Sequence, residues 1–172
     1  MKRVSIAIIA LVVVLLAAGT VPAGENGKPL SSDEWRKKGV EAFNAKDYQN
    51  AVVYFKKTLE LNPKDAKAFY DLGLISYSKG EYLEAIQYCG VAIELAPSEP
   101  KYYRCRGPAY GKISDGHPAN GILSMVDFRT AGDLGDKKAG EAFQTLKNLY
   151  ILAAKDGNKE AQEILQGLKI SW

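Results

Sequence analysis

The sequence matches itself at one fixed long spacing, and that period limits the fold more than any other feature. Trp35, Phe69 and Tyr103 lie 34 apart, and Gly39, Gly73 and Gly107 follow them at a constant distance. Tyr48 and Tyr82, Ala51 and Ala85, Phe55 and Cys89, and Pro63 and Pro97 repeat at the same spacing. Within each unit apolar residues recur at threes and fours, as at Ala51, Phe55 and Leu59, which is the periodicity of an amphipathic helix. Short breaks such as "NAKD", "LNPKD", "SKGE" and "LAPSEP" separate the helical stretches, and no strand pattern is present. A helix–turn–helix unit of this length cannot bury its apolar face alone, so the units must stack into a solenoid.

Two units are in phase, residues 32–65 and 66–99, and a third over residues 100–136 is degenerate. It keeps Tyr103, Gly107 and Tyr110, then places Ser124, Phe128 and Ala131 where the second unit has Ala85, Cys89 and Ala92. Ser124 lies five places later than the period requires of the counterpart of Ala85. Five residues are therefore inserted within "SDGHPANG", residues 114–121. Pro108 lacks an N–H and crowds the carbonyl of Arg104, which predicts a kink or an early break in that unit's first helix. Beyond Asp136 the match shifts to a shorter spacing, pairing Ala131 with Ala153, Gly135 with Gly157 and Ala139 with Ala161. This predicts a helix from about Lys137 to Ala154 and another from about Lys159 to Leu168, capping the solenoid over residues 137–172.

These residues resemble the tetratricopeptide repeat (TPR) family, whose pattern is an aromatic, Leu-Gly, Tyr, then Ala and Phe, and a closing Pro. The first unit carries Trp35, Gly39, Ala51, Phe55 and Pro63, with Lys38 at the leucine position and Phe43 one place after the tyrosine. The second carries Leu72, Gly73, Ala85, Ala92 and Pro97, with Cys89 in place of the aromatic. The resemblance extends from about Ser32 to Leu134. It implies an all-α, right-handed superhelix of about three repeats plus the capping pair, and a non-enzymatic protein that holds a protein or peptide in its concave groove.

Carried over by position, the groove is lined by Arg36, Val40, Phe43 and Asn44, by Lys67, Tyr70, Leu74 and Tyr77, and by Lys101 and Arg104. Their spacing puts each set on one helical stripe. Aromatic and basic residues together suit an extended or helical peptide with apolar anchors and some negative charge. The same aromatics also suit packing against neighbouring helices. Some family members grip chaperone C-terminal carboxylates with a fixed set of Lys, Asn and Arg. Arg36 and Lys101 occupy two of those places, but Val40 and Asp71 replace the asparagines and Cys105 the last base. Asp71 repels a carboxylate, which counts against that ligand.

The first 23 residues, with Lys2 and Arg3 before an apolar run from Val4 to Ala18 and then small residues, have the build of a secretory signal. Cleavage after Gly19 or Ala23 is expected, with residues 24–31 as a linker. Thr20 stands where a lipoprotein signal needs cysteine. The alternative is an uncleaved anchor, although the run from Val4 to Ala18 is shorter than the ~20 residues that cross a bilayer core. Either case places the rest outside the cytoplasm, periplasmic or secreted, with the membrane involved only through that segment. Losing Lys2 and Arg3 leaves 21 bases against 20 acids, no basis for binding nucleic acid.

Cys105 and the single histidine, His117, have a helix end and a turn between them and no third orienting group, so no catalytic residue is expected. One histidine and two cysteines supply no close ligand pair, so no metal or cofactor is expected either. Cys89 and Cys105 fall on helices that should be neighbours in an oxidising compartment. A disulfide and two separate buried thiols both remain open at this point. The expected role is an exported adaptor or scaffold in cell-envelope assembly. The alternatives are a membrane-tethered subunit acting by self-association and a redox-responsive module using Cys89 and Cys105. The sequence sets no oligomeric state.

Overall fold

The computed structural model describes residues 29–113 and 117–172. The expected signal segment (residues 1–23), residues 24–28 of the expected linker and residues 114–116 of the insertion lie outside the described residues. Among the described residues the chain forms eight α-helices. They are α1 Ser32–Asn44, α2 Tyr48–Leu61, α3 Ala66–Lys79, α4 Tyr82–Leu95, α5 Pro100–Lys112, α6 Pro118–Asp133, α7 Lys137–Lys155 and α8 Lys159–Gly167. The all-α solenoid expected from the period is the observed fold.

Polar residues ahead of the helices set where they start. Ser31 and Glu34 form a capping box at α1, in which the Ser31 N–H donates to the Glu34 carboxylate at 2.7 Å and the Glu34 N–H to Ser31 Oγ at 3.3 Å. Asp47, Asp65, Asp136 and Asn158 accept first-turn N–H bonds at α2, α3, α7 and α8. Gly80 closes α3 in the left-handed region (φ 81°), and Lys46 takes the same conformation (φ 62°) one period earlier.

Each repeat's two helices meet at the periodic glycine. A Cβ on Gly39 would stand 2.6 Å from the Phe55 ring, and one on Gly73 would stand 2.5 Å from Cys89 Sγ. On Gly107 it would press on Asp127 Cβ at 3.2 Å and the Ser124 carbonyl at 3.3 Å. Around these crossings Trp35, Ala51, Phe55, Phe69, Leu72, Ile75, Ala92 and Tyr102 are buried. Two ring contacts also repeat one period apart, Trp35 on Tyr54 at 5.6 Å and Phe69 on Tyr88 at 6.5 Å.

The third repeat places an ion pair at positions that are uncharged in the second. Arg106 and Asp127 stand where the second repeat has Leu72 and Tyr88, and Asp127 is 2% exposed. Arg106 Nε and Nη2 each donate to one Asp127 carboxylate oxygen at 2.9 Å. Burial opposes the guanidinium charge, but the bonds and charge of Asp127 outweigh it and raise the Arg106 pKa. The five-residue insertion goes partly into α6, which starts three residues before Gly121, the counterpart of Tyr82. Asn120 Nδ2 reaches back across the turn to the Ile113 carbonyl at 3.3 Å.

The early break expected at Pro108 does not occur, because α5 continues through it to Lys112. Gly107 has no Cβ to clash with the proline ring. The Arg106–Asp127 bonds and the link from Cys105 to α4 tie the turn just before the proline to α6 and α4.

The first helices of successive repeats, α1, α3 and α5, pack against one another in series, whereas α2, α4 and α6 barely touch each other. The array therefore curves with α1, α3 and α5 on its inner face. At the far end α7 and α8 cover α6 through Met125, Phe143, Ile164 and Leu168. No helix among the described residues is long and apolar enough to cross a membrane.

The ion pair gives a stability test. Asp127→Ala should cost about 3 kcal/mol, the low end for a broken buried pair, by leaving a partly buried guanidinium unpaired. Arg106→Leu with Asp127→Tyr, which recreates the Leu72–Tyr88 arrangement, should recover most of that loss in urea denaturation.

Candidate functional site

The inner face carries the residues expected from position, but the structure sorts them into two groups. Phe43 stacks on Tyr48 at 5.7 Å and Tyr77 on Tyr82 at 5.5 Å. These are one contact repeated a period later, and both bridge the turn between a repeat's two helices. Phe43 and Tyr77 thus close the repeat tips, and Val40 packs partly on the main core. Leu74 is half-buried beside them, and Asn44 is exposed at the end of α1.

The second group gathers where α1, α3 and α5 meet. Tyr70 of α3 and Tyr102 of α5 stack at 5.4 Å, and Lys101 Nζ lies 5.9 Å and 5.2 Å from their ring centres. Both distances are within cation–π range. Arg36, Tyr70 and Arg104 share one position in the three repeats. Arg36 Nε pairs with Asp65, the N-cap of α3, at 3.6 Å, and its Nη2 also faces Asp33 at 3.7 Å. Arg104 Nε pairs with Asp136, the N-cap of α7, at 2.8 Å. Tyr70 occupies the middle position, and the corresponding cap, Glu99 of α5, pairs with Lys101 at 3.2 Å. Of the expected basic rim, Arg36, Lys101 and Arg104 therefore already have counterions from their own chain. Lys67 is exposed and makes no ion pair among the described residues.

Asp71 lies one turn after Lys67 on the same stripe of α3, half-buried, with no hydrogen bond or ion pair among the described residues. Burial pushes its carboxyl up to about 6. Arg36, Lys101 and Lys67 pull against that rise, and Asp65 adds to it. The adjoining Tyr102 hydroxyl is pushed up to about 12, first by burial and then by Glu99, Asp65 and Asp71. Burial also raises Tyr70, against the pull of Arg104.

Position within the repeat did not find Tyr102, Asp65, Glu99 or Asp136, and gave Asp71 only as a departure from the chaperone-binding pattern. The available signal was Tyr102 itself, a large aromatic where the second repeat has the buried Ala68.

Cys89 and Cys105 form a disulfide between α4 and α5, with their Cα atoms 6.1 Å apart. Cys105 has no free thiol to act as a nucleophile, and His117 is exposed at the start of α6. Among the described residues no group of three His, Cys, Asp or Glu side chains could hold a metal ion.

Stacked helix pairs with an exposed inner stripe define an α-helical repeat protein. Residues 36–100 match the tetratricopeptide repeat family model, and the chain belongs to that family. An uncharacterised protein of Methanocaldococcus jannaschii is 36% identical over 73 residues, 41% of this chain and 85% of that one. The cellulose synthase operon protein C of Komagataeibacter xylinus is 26% identical over 144 residues, 84% of this chain. The chain spans only 10% of that relative's length. Among solved structures, the first TPR of Spaghetti (RPAP3) bound to the HSP90 peptide SRMEEVD superposes with a TM-score of 0.62 at 15% identity. That match covers 76% of this chain and 98% of the other.

Because folding raises the Asp71 pKa, the native state holds its proton more tightly than the unfolded chain. The associated stability is present below the unfolded value near 3.8 and lost as pH rises through about 6. Asp71→Asn should therefore unfold at a higher denaturant concentration than wild type at pH 7. The difference should shrink toward zero at pH 4.

Proposed function

We propose that the chain is an exported, non-enzymatic interaction module. It holds a protein or peptide segment along the inner face of α1, α3 and α5, as an adaptor in cell-envelope assembly. The observation that carries this reading is the Tyr70–Tyr102 pair under Lys101. The buried Tyr102 fixes the half-buried Tyr70 ring in place on the side of the array where three helices converge. The peptide in the structure of similar fold supports an inner face that accepts an extended segment. Export draws its support from the signal-like residues 1–23 and from the Cys89–Cys105 bridge, which suits an oxidising compartment.

A second reading, a tethered subunit that self-associates, is favoured by Leu149 and Leu152. These α7 side chains are 58% and 60% exposed. In a third, reduction of the bridge alters the packing of α4 on α5 and with it the binding of a partner.

The readings separate by mutation. Tyr70→Ala with Lys101→Ala should weaken partner binding by at least about thirtyfold, the scale of an interface hot spot, while the helical circular dichroism is kept. Leu149→Ala with Leu152→Ala should leave binding unchanged. The opposite pattern assigns recognition to α7. Mass analysis of the chain from its native host should show a start after Gly19 or Ala23 if it is exported by cleavage.

A further inference from the structure

The charges on the inner face are not arranged for an acidic partner. Four bases face it, Arg36, Lys67, Lys101 and Arg104, against five acids, Asp33, Asp65, Asp71, Glu99 and Asp136. Three of the bases are engaged by Asp33, Asp65, Glu99 and Asp136. An entering carboxylate would have to compete with those acids and approach Asp71. The groups around Asp71 are Arg36 from α1, Asp65 from the α3 cap, Lys67 and Tyr70 from α3, and Lys101 and Tyr102 from α5. None of them donates a hydrogen bond to it or forms an ion pair with it. The Asp71 carboxylate is thus open to solvent on the inner face and has no protein partner, while the only buried polar side-chain atom without one among the described residues is Trp35 Nε1. Beside it the half-buried Tyr70 ring, held by the buried Tyr102, offers a surface that can cover an alkyl stem.

Building on the inner-face reading above, we propose that the bound segment presents a lysine or arginine side chain to Asp71, its stem lying against Tyr70. The specificity is thus the reverse of that expected from the basic residues alone. The site selects a basic side chain, because three of its four bases are occupied, Lys67 alone being exposed and unpaired among the described residues, and its half-buried unpaired group is an acid. Binding such a side chain favours the ionised carboxylate, so affinity falls as pH drops through the Asp71 titration near 6.

The test uses the full chain and a displayed library of random dodecapeptides without histidine, selected at pH 7.5, with SRMEEVD as the acidic reference. Selected peptides should carry Lys or Arg at one fixed position and bind more tightly than SRMEEVD. Replacing that residue by norleucine should weaken binding about tenfold or more, the scale of a charge-assisted hydrogen bond. Binding at pH 5 should be about tenfold weaker than at pH 7, following the ionised fraction of a group titrating near 6. Asp71→Asn should remove both effects, and Asp71→Lys should shift selection to Asp or Glu; the norleucine comparison needs no protein variant.

Selection of acidic or uncharged residues at that position, or pH dependence retained in Asp71→Asn, overturns the inference. If Tyr70→Ala with Lys101→Ala weakens the selected peptides but Asp71→Asn does not, only the basic side chain is wrong. If neither variant matters, or no peptide is selected, the inner-face reading falls with it.

Discussion

In every repeat the two helices meet at a glycine, and the rest of the architecture depends on that approach. With no Cβ at Gly39, Gly73 or Gly107, the facing helix sits close enough for its largest group to fill the crossing. In the first repeat that group is the Phe55 ring. In the second Cys89 replaces the ring, and the vacated volume admits the sulfur of Cys105, 3.2 Å from where a Gly73 Cβ would lie. The disulfide thus occupies a ring's place in the repeating core and ties the second repeat to the third. In the third repeat Asp127 and Phe128 crowd Gly107, and Arg106 neutralises the carboxylate that lies there.

Close pairing within repeats, with α1, α3 and α5 in series on one side, creates the inner face. Its chemistry follows from a second periodicity, that of the helix caps. Asp65, Glu99 and Asp136 precede the first helix of the next pair, and each reaches a basic side chain on the inner face. The same acids begin helices and quench the cationic rim. Asp71 is outside this scheme because it lies within α3, half-buried and with no protein partner among the described residues.

The fold was legible because its determinants are local and periodic. Trp35, Phe69 and Tyr103 fix the phase, the glycines fix the crossings, and the lengthened interval from Ala85 to Ser124 locates the insertion. The continuity of α5 through Pro108 was not legible. It depends on Gly107 before the proline and on bonds to α4 and α6 that no local pattern contains. The site was only partly legible. Position placed Tyr70, Lys101, Arg36 and Arg104 on one face, and it also included Phe43 and Tyr77, which the structure commits to the repeat tips. The pairing of charge at the site was not legible in sequence, since it depends on pairs such as Arg36–Asp65 and Arg104–Asp136, whose members lie nearly a whole repeat apart.

The central claim is that recognition uses the inner face of α1, α3 and α5. Amide hydrogen exchange of the full chain, with and without a saturating bound peptide, tests it most directly. The account predicts added protection in α1, α3 and α5, strongest around Tyr70 and Lys101, with α2, α4 and α7 unchanged. Protection confined to α7 and α8 would contradict it.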